Sequence, residues 1–357
     1  MSITLQSFRA AVRTGIFVLK VLPALPSRPI DLITAAPIVE RLEYPTSLGK
    51  AAGDLYRPGS QGTHPGIVVC LGVVPFDVEH PQVPRLGGAL ARAGFAALLY
   101  WSPAMRDFRL DPVDIENIAL AYQHLLEQPY VDPRRSGLIG TCVGGSFALM
   151  ASASEHIRDR VAFVGAFAPY GSLFSLARDV ASSTSNRGGE RRPWQVDPLT
   201  RKVFVHSVTA HLDAGEARVL RDAFEEGSLP NEREALSADG KAVQALLVAG
   251  DADQADLALT RLPEDIQAGL GDLSPVNYLK DIHAPLIAIS HDRDDLVIPV
   301  DESRLLQSAL TDRAGVRYTE FAMFQHADPT KRKLSPIQLV RQLIKFYAWL
   351  YAVFRAA

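Results

Sequence analysis

The six residues Gly140-Thr141-Cys142-Val143-Gly144-Gly145 set a thiol between glycines two positions before it and two after. An apolar run, Ser136-Gly137-Leu138-Ile139, leads in, and a helix-like run, Phe147-Ala148-Leu149-Met150-Ala151, leads out. A strand, a sharp turn carrying the reactive residue and then a helix make up a nucleophile elbow. The residue at the tip takes an awkward φ/ψ, so its flanking residues Gly140, Gly144 and Gly145 must lack bulk. The N-terminus of the following helix places N–H groups and a positive dipole end beside the sulfur. That field favours thiolate, the reactive form of cysteine. A cysteine that only fills core space is the plainer alternative. The strand–turn–helix setting argues against it, as does the order of an acid and a histidine further along.

A cysteine nucleophile needs a base, and the base needs a group to orient it. Only one histidine follows residue 291: His326, in Phe324-Gln325-His326-Ala327-Asp328. It stands 31 residues after Asp295, between the expected last strand and last helix. The other histidines have plainer roles: His124 lies within a helical run, His156 ends one, and His206 and His211 fall in a helical region described below. The acid comes from His291-Asp292-Arg293-Asp294-Asp295-Leu296-Val297-Ile298-Pro299. Asp295 leads because two residues and then Ile-Pro follow it; Asp292 is next, and a merely solvated loop is the bland alternative. Loops at strand C-termini are where sites are built. In this scheme Cys142 attacks an acyl carbonyl, His326 takes its proton, and Asp295 fixes the imidazole tautomer. The oxyanion needs two donors. One is the N–H of Val143; the other is expected from Leu71-Gly72-Val73-Val74-Pro75, with Val73 first. The continuation Phe76-Asp77-Val78-Glu79-His80 offers two acids and a histidine to the pocket or to solvent in equal measure.

These residues need strands to hold them. Ile38–Tyr44 alternates like a strand, and Ala52–Tyr56 reads as its hairpin mate, ended by Pro58-Gly59. Gly66–Leu71 is a continuous apolar run, as in a strand buried on both faces. A helix at 84–93, a strand at 95–100 and a helix from Val113 to Leu126 follow, the last with Asp111 and Pro112 at its start. The elbow comes next, then a strand at 161–167. The alternation stops at Pro169-Tyr170-Gly171 and resumes at Pro285–Ile289, Glu302–Leu310 and Val316–Phe321. The last helix opens at Ser335-Pro336 and carries Leu339, Val340, Leu343, Phe346, Tyr347, Leu350, Tyr351 and Phe354 as a stripe that should dock on the sheet. Between 171 and 285 no convincing strand appears. Helical stretches lie near 199–212, 214–226, 240–249 and 263–270, and 182–192 reads as a mobile loop.

The expectation is therefore an α/β chain: a mostly parallel central sheet with helices on both faces and an inserted α-helical cap. The divisions are an N-terminal helical extension over 1–37, a core of 38–170 with 280–357, and a cap over 171–279. Trp194, Phe204 and Tyr278 are candidates to line the pocket, although core packing suits each better.

The balance of 47% apolar and 22% charged residues in 357 is that of a globular protein. A net charge of −3 with no long basic stretch excludes nucleic acid as a partner. Two cysteines, Cys70 and Cys142, suit a reducing compartment, hence the cytoplasm. No metal-ligand spacing, P-loop or dinucleotide fingerprint is present, so neither metal nor cofactor is expected. No apolar run is long enough to span a membrane. The first thirty residues hold Arg9, Arg13, Lys20 and Arg28 and no acid. They read as a helix packed on the body or a partner subunit, a homo-oligomer included, or as a weak amphipathic helix on a membrane surface.

With its Cys-centred elbow, the 292–299 segment and Gln325-His326, the chain resembles the dienelactone hydrolase family of α/β hydrolases over about 38–170 and 280–355. The resemblance implies a Cys-Asp-His triad, carried over to Cys142, Asp295 and His326, acting on a small-molecule ester or lactone. Those enzymes are small and uncapped, so their substrate does not carry over. In that fold the loop after the third strand usually reads His-Gly; here Leu71 precedes Gly72. The long cap is similar to that of larger esterases and acyl-peptide hydrolases. A second resemblance is to polyhydroxyalkanoate synthases, capped acyltransferases with a Gly-x-Cys-x-Gly-Gly elbow. Three functions follow: a capped hydrolase of an ester, lactone or thioester, which is preferred; an acyltransferase using the same intermediate; and a non-catalytic scaffold.

Overall fold

The computed structural model describes residues 2–22, 28–47, 49–74, 80–226, 236–323 and 334–357. The chain opens with helices α1 (Ser2–Val21) and α2 (Arg28–Ile33), then a hairpin of β1 (Ile38–Thr46) and β2 (Gly49–Arg57). Alternating elements follow: β3 (His64–Cys70), α3 (Gln82–Arg92), β4 (Ala96–Tyr100), α4 (Pro103–Arg106), α5 (Val113–Leu126), β5 (Val131–Thr141), α6 (Val143–Ala151) and β6 (Phe163–Phe167). An insert then holds α7 (Leu173–Ser182), β7 (Thr184–Arg187), β8 (Glu190–Pro193), α8 (Pro198–Val208), α9 (Ala214–Glu226), α10 (Ala238–Leu247), α11 (Ala252–Leu259) and α12 (Glu264–Asp272). The chain returns through β9 (Leu286–Asp292), α13 (Val300–Ala309), β10 (Val316–Phe321) and α14 (Pro336–Ala356).

Eight strands make one sheet in the order β1-β2-β4-β3-β5-β6-β9-β10. β1 and β2 pair antiparallel, as do β2 and β4; every other pairing is parallel. Parallel strands covered on both faces have no wet side, which is why β3, β4 and β6 are buried along their whole length. Side chains alternate across the sheet. Val68 and Leu98 join the core under α5 and α6, while Ile67, Val69 and Leu99 join the core under α3 and α14.

Local signals set several ends. Ser335 caps α14 in a full capping box with Gln338, and Pro336 takes the first helical position. Asp111 accepts from Val113 N at the start of α5. The N-terminal helix packs on the body: Phe17 meets Phe354 edge-on at 5.5 Å, and Tyr347 donates to Ala11 O at 2.8 Å. Its outer residues Leu5, Phe8 and Val12 stay exposed. Among the described residues, no helix is long and apolar enough to cross a membrane.

Three expectations change. The 182–192 stretch is not a loop but the end of α7 and the β7–β8 hairpin, turned by Gly188 and Gly189 at φ 67° and 95°. Two adjacent residues with positive φ are what the tightest hairpins demand. That hairpin is held down by Arg191, which donates to Asp179 of α7 from two nitrogens at 3.0 Å. Helices α4, α7 and α11 are additions to the expected set; α7 does carry a helical repeat in Leu173, Leu176, Ala177 and Val180, whereas α4 and α11 are short and stabilised by packing. The α14 stripe docks only in its second half: Phe346, Leu350 and Phe354 are buried, whereas Leu339 and Val340 near its start are exposed.

Candidate active site

Cys142 sits between β5 and α6 at φ 56°, ψ −137°. A side chain rarely holds that conformation, and doing so costs about 1–3 kcal/mol. Its surroundings keep it there. Cys142 N donates to Phe167 O on β6 at 2.8 Å, and Gly145 N donates back to Cys142 O at 2.9 Å. The glycines are forced by close backbone approach. A Cβ on Gly140 would fall 2.1 Å from Gly144 O, and one on Gly144 would fall 2.2 Å from Cys70 O at the end of β3. Gly145 is looser, its nearest atom being Gly140 O at 3.2 Å.

The loop after β3 lies against the elbow. Gly72 takes φ 77°, and a Cβ there would meet Thr141 O at 2.8 Å and Gly144 N at 2.9 Å. Thr141 ties the two segments by donating from Oγ1 to Leu71 O at 3.0 Å. This brings Val73 and Val143 to the wall of the same pocket as Cys142. Cys70, by contrast, is sealed in the core, and burial pushes its thiol well up.

The 292–299 loop is not a solvated run of acids, since Asp292 and Asp295 are both buried. Asp295 Oδ1 accepts from Val297 N at 2.8 Å and Ile298 N at 3.1 Å. Asp292 does a different job: it accepts from Met323 N at 2.8 Å and Asp294 N at 3.0 Å, joining the ends of β9 and β10. His291, which sequence reasoning passed over, is buried beneath this loop. Its Nε2 is 2.9 Å from Ile298 O and 3.6 Å from Asp295 Oδ2. A carbonyl only accepts, so Nε2 carries the proton. Val297 and Ile298 line the pocket beside Cys142, which places the acid loop at its rim. His326 lies outside the described residues, as do Asp77 and Glu79; His80 accepts from Gln82 N at 3.4 Å and does not line the pocket.

The pocket holds a cavity of about 60 Å³ beneath an open mouth. Its roof is the insert. Helix α7 contributes Leu173, Leu176, Ala177 and Val180, one helical face at i, i+3, i+4, i+7. Helix α8 contributes Leu199, Thr200, Val203, Phe204, Ser207 and Val208. Phe204 therefore lines the pocket. Trp194 instead clamps the insert onto the acid loop, donating from Nε1 to Leu296 O at 3.2 Å. Thr200 adds a second clamp, Oγ1 to Val297 O at 2.8 Å. Tyr278 bonds Asp272 O and is not part of the lining. The start of the insert is anchored by Glu302, a buried carboxylate that accepts from Gly171 N at 2.9 Å, Ser172 N at 3.0 Å and Ser175 Oγ at 2.6 Å. A second void, of about 10 Å³ beside Cys70 and Tyr100, has room for about one water.

No family model matches the chain. It is 31% identical over 147 residues to the bile acid-CoA:amino acid N-acyltransferase of Mus musculus, covering 39% of this chain and 33% of that enzyme. It thus spans about a third of that relative's length. A probable 2-oxo-3-(5-oxofuran-2-ylidene)propanoate lactonase of Bradyrhizobium sp. is 26% identical over 192 residues, 47% of this chain and 75% of the relative. Among solved structures, 2,6-dihydroxy-pseudo-oxynicotine hydrolase matches with a TM-score of 0.52 at 16% identity, over 89% of this chain and 68% of that one. The sheet order and these likenesses show the α/β-hydrolase fold.

Proposed function

We propose that this α/β-hydrolase-fold chain is a cysteine hydrolase that cleaves a carboxylic ester, lactone or thioester through an acyl-cysteine intermediate. The observation that carries the reading is Cys142 itself, held at φ 56° at the start of α6 and opening into an apolar pocket. Backbone strain of this kind persists where the fold over-determines it, and it gathers at sites of chemistry.

In the proposed reaction the Cys142 proton passes to His326 as the sulfur adds to the acyl carbonyl. Asp295 orients that imidazole and stabilises its cation. The N–H groups of Val143 and Val73 receive the oxyanion. On collapse the bond to the leaving group breaks, and the departing oxygen or sulfur takes the proton from His326. Water then adds to the acyl-thioester, giving one proton to His326. The carboxylic acid leaves, and the sulfur recovers its proton. The insert acts as a cap that excludes bulk water from this sequence. The Cys-centred elbow supports kinship with dienelactone hydrolases, and the lactonase relative supports a lactone among the substrates. A cytosolic setting suits the two free thiols. Any contact with a lipid surface would use the outward residues Leu5, Phe8 and Val12.

The acyltransferase relative supports a second reading, in which an amine or hydroxyl acceptor replaces water at the acyl-cysteine. Incubation with p-nitrophenyl esters and with acyl-CoA, with and without an acceptor, separates the two: release of free acid without transfer product supports hydrolysis. Cys142→Ala should abolish turnover with the fold intact, and retained activity would remove Cys142 as nucleophile. Iodoacetamide at neutral pH should label Cys142 far faster than the sealed Cys70; equal or absent labelling would favour a non-catalytic scaffold.

A further inference from the structure

We propose that the acyl group carried to Cys142 is an uncharged aliphatic chain, seated between α7 and α8. This rests on the reading that Cys142 is the acylated residue. Among the described residues, the pocket wall holds no charged side chain. Of its polar side chains other than Cys142, Thr200 has its hydroxyl engaged with Val297 O, and Ser207 has its oxygen engaged by Leu110 N–H at 3.1 Å. The charges of α7 are turned away. Arg178 and Asp179 follow Leu176 and Ala177 by two residues, about 200° around the helix. They pair with each other at 3.2 Å, and Asp179 also pairs with Arg191. A carboxylate entering between α7 and α8 would lose its water and find, among the described residues, no cation and no donor pair beyond the oxyanion N–H groups in return. A methylene chain would instead lie against Leu176, Val180, Val203 and Phe204. The acyl group that fits is therefore a straight or branched alkanoyl chain without a terminal acid.

The test is a p-nitrophenyl ester series of acetate, butyrate and hexanoate, with mono-p-nitrophenyl adipate as the hexanoate analogue ending in a carboxylate. Burial of each methylene should raise kcat/KM about fourfold up to the length at which the pocket fills. The adipate ester should fall at least about 100-fold below hexanoate. A flat series, or equal rates for adipate and hexanoate, would overturn the inference while loss of turnover in Cys142→Ala still upheld the nucleophile. If Cys142→Ala keeps its turnover, the nucleophile reading fails, and the pocket is tested by protection instead. Hexanamide should then slow alkylation of Cys142 by iodoacetamide and adipic monoamide should not; equal protection overturns the inference. Two variants locate the chain. Ala177→Phe, which fills the pocket, should lower the hexanoate-to-acetate ratio at least tenfold, and Leu176→Ala, which enlarges it, should shift the preference to longer esters. Unchanged ratios in both would place the acyl group elsewhere.

Discussion

Replacing Cys142 by alanine and by glycine separates backbone strain from chemistry, because both variants lack the thiol and differ only by a Cβ. At an ordinary helical position glycine is less stable than alanine by roughly 0.5–1 kcal/mol. At φ 56° and ψ −137° the Cβ itself should cost about 1–3 kcal/mol. Taking about 2 for the relief and about 1 for the added freedom of the unfolded chain, Cys142→Gly should exceed Cys142→Ala by roughly 1 kcal/mol. Urea unfolding followed by circular dichroism reads the difference, and thermal unfolding should show it as roughly 1 °C. Both variants should be inactive. If alanine proves the more stable by about 1 kcal/mol, as at an unstrained site, the elbow stores no strain and the central argument for Cys142 is lost.

Other outcomes follow from the same geometry. Gly144→Ala should destabilise by about 3 kcal/mol or more, since its Cβ would lie 2.2 Å from Cys70 O, whereas Gly145→Ala should cost about 1; thermal unfolding compares them. Glu302→Ala leaves the N–H groups of Gly171 and Ser172 without their acceptor and should cost about 3 kcal/mol, with Glu302→Gln costing less. Trp194→Phe keeps the ring but loses the bond to Leu296 O, so limited proteolysis in the β7–β8 hairpin should quicken and the ester KM should rise. Burial opposes ionisation of Glu320, but hydrogen bonds from Arg304 and Arg293 outweigh it and take its pKa from 4.5 down to about 2. A lowered carboxylate contributes stability above the unfolded pKa and loses it as pH falls, here between about 4.5 and 2. The Glu320→Gln variant should lack that component of acid destabilisation, as measured by denaturant midpoints across the range.

Much of this protein is written in local signals. Val113–Leu126 and Val316–Phe321 coincide with the runs read from periodicity, because a buried face imposes its repeat on neighbouring residues. The start of α14 was legible from Ser335-Pro336 for the same reason: a cap and its helix are covalent neighbours. The elbow belongs here too, since Gly140 and Gly144 lie within two residues of the thiol, although the close approach that forces Gly144 is to Cys70 O on another strand. The acid loop was half legible. Three aspartates stand within four positions; Asp295 bonds the backbone of its own loop two and three residues on, whereas the bond from Met323 N to Asp292 exists only once β9 and β10 are side by side. The β7–β8 hairpin was missed although Gly188-Gly189 carried a turn signal, because a run of polar residues around it hides two short strands.

What the chain alone did not determine is the shape of the space above Cys142. The apolar faces of α7 and α8 look like any core-facing helix in sequence; what turns them into a pocket is that Trp194 and Thr200 pin the insert to a loop some hundred residues further along. Which residues line a cavity depends on how separate elements meet, and that is set by long-range packing rather than by the preferences of any one segment. The sulfur, its glycines and the strand beneath it follow from neighbours in the chain, and the room in front of that sulfur follows from contacts that exist only once the chain has folded.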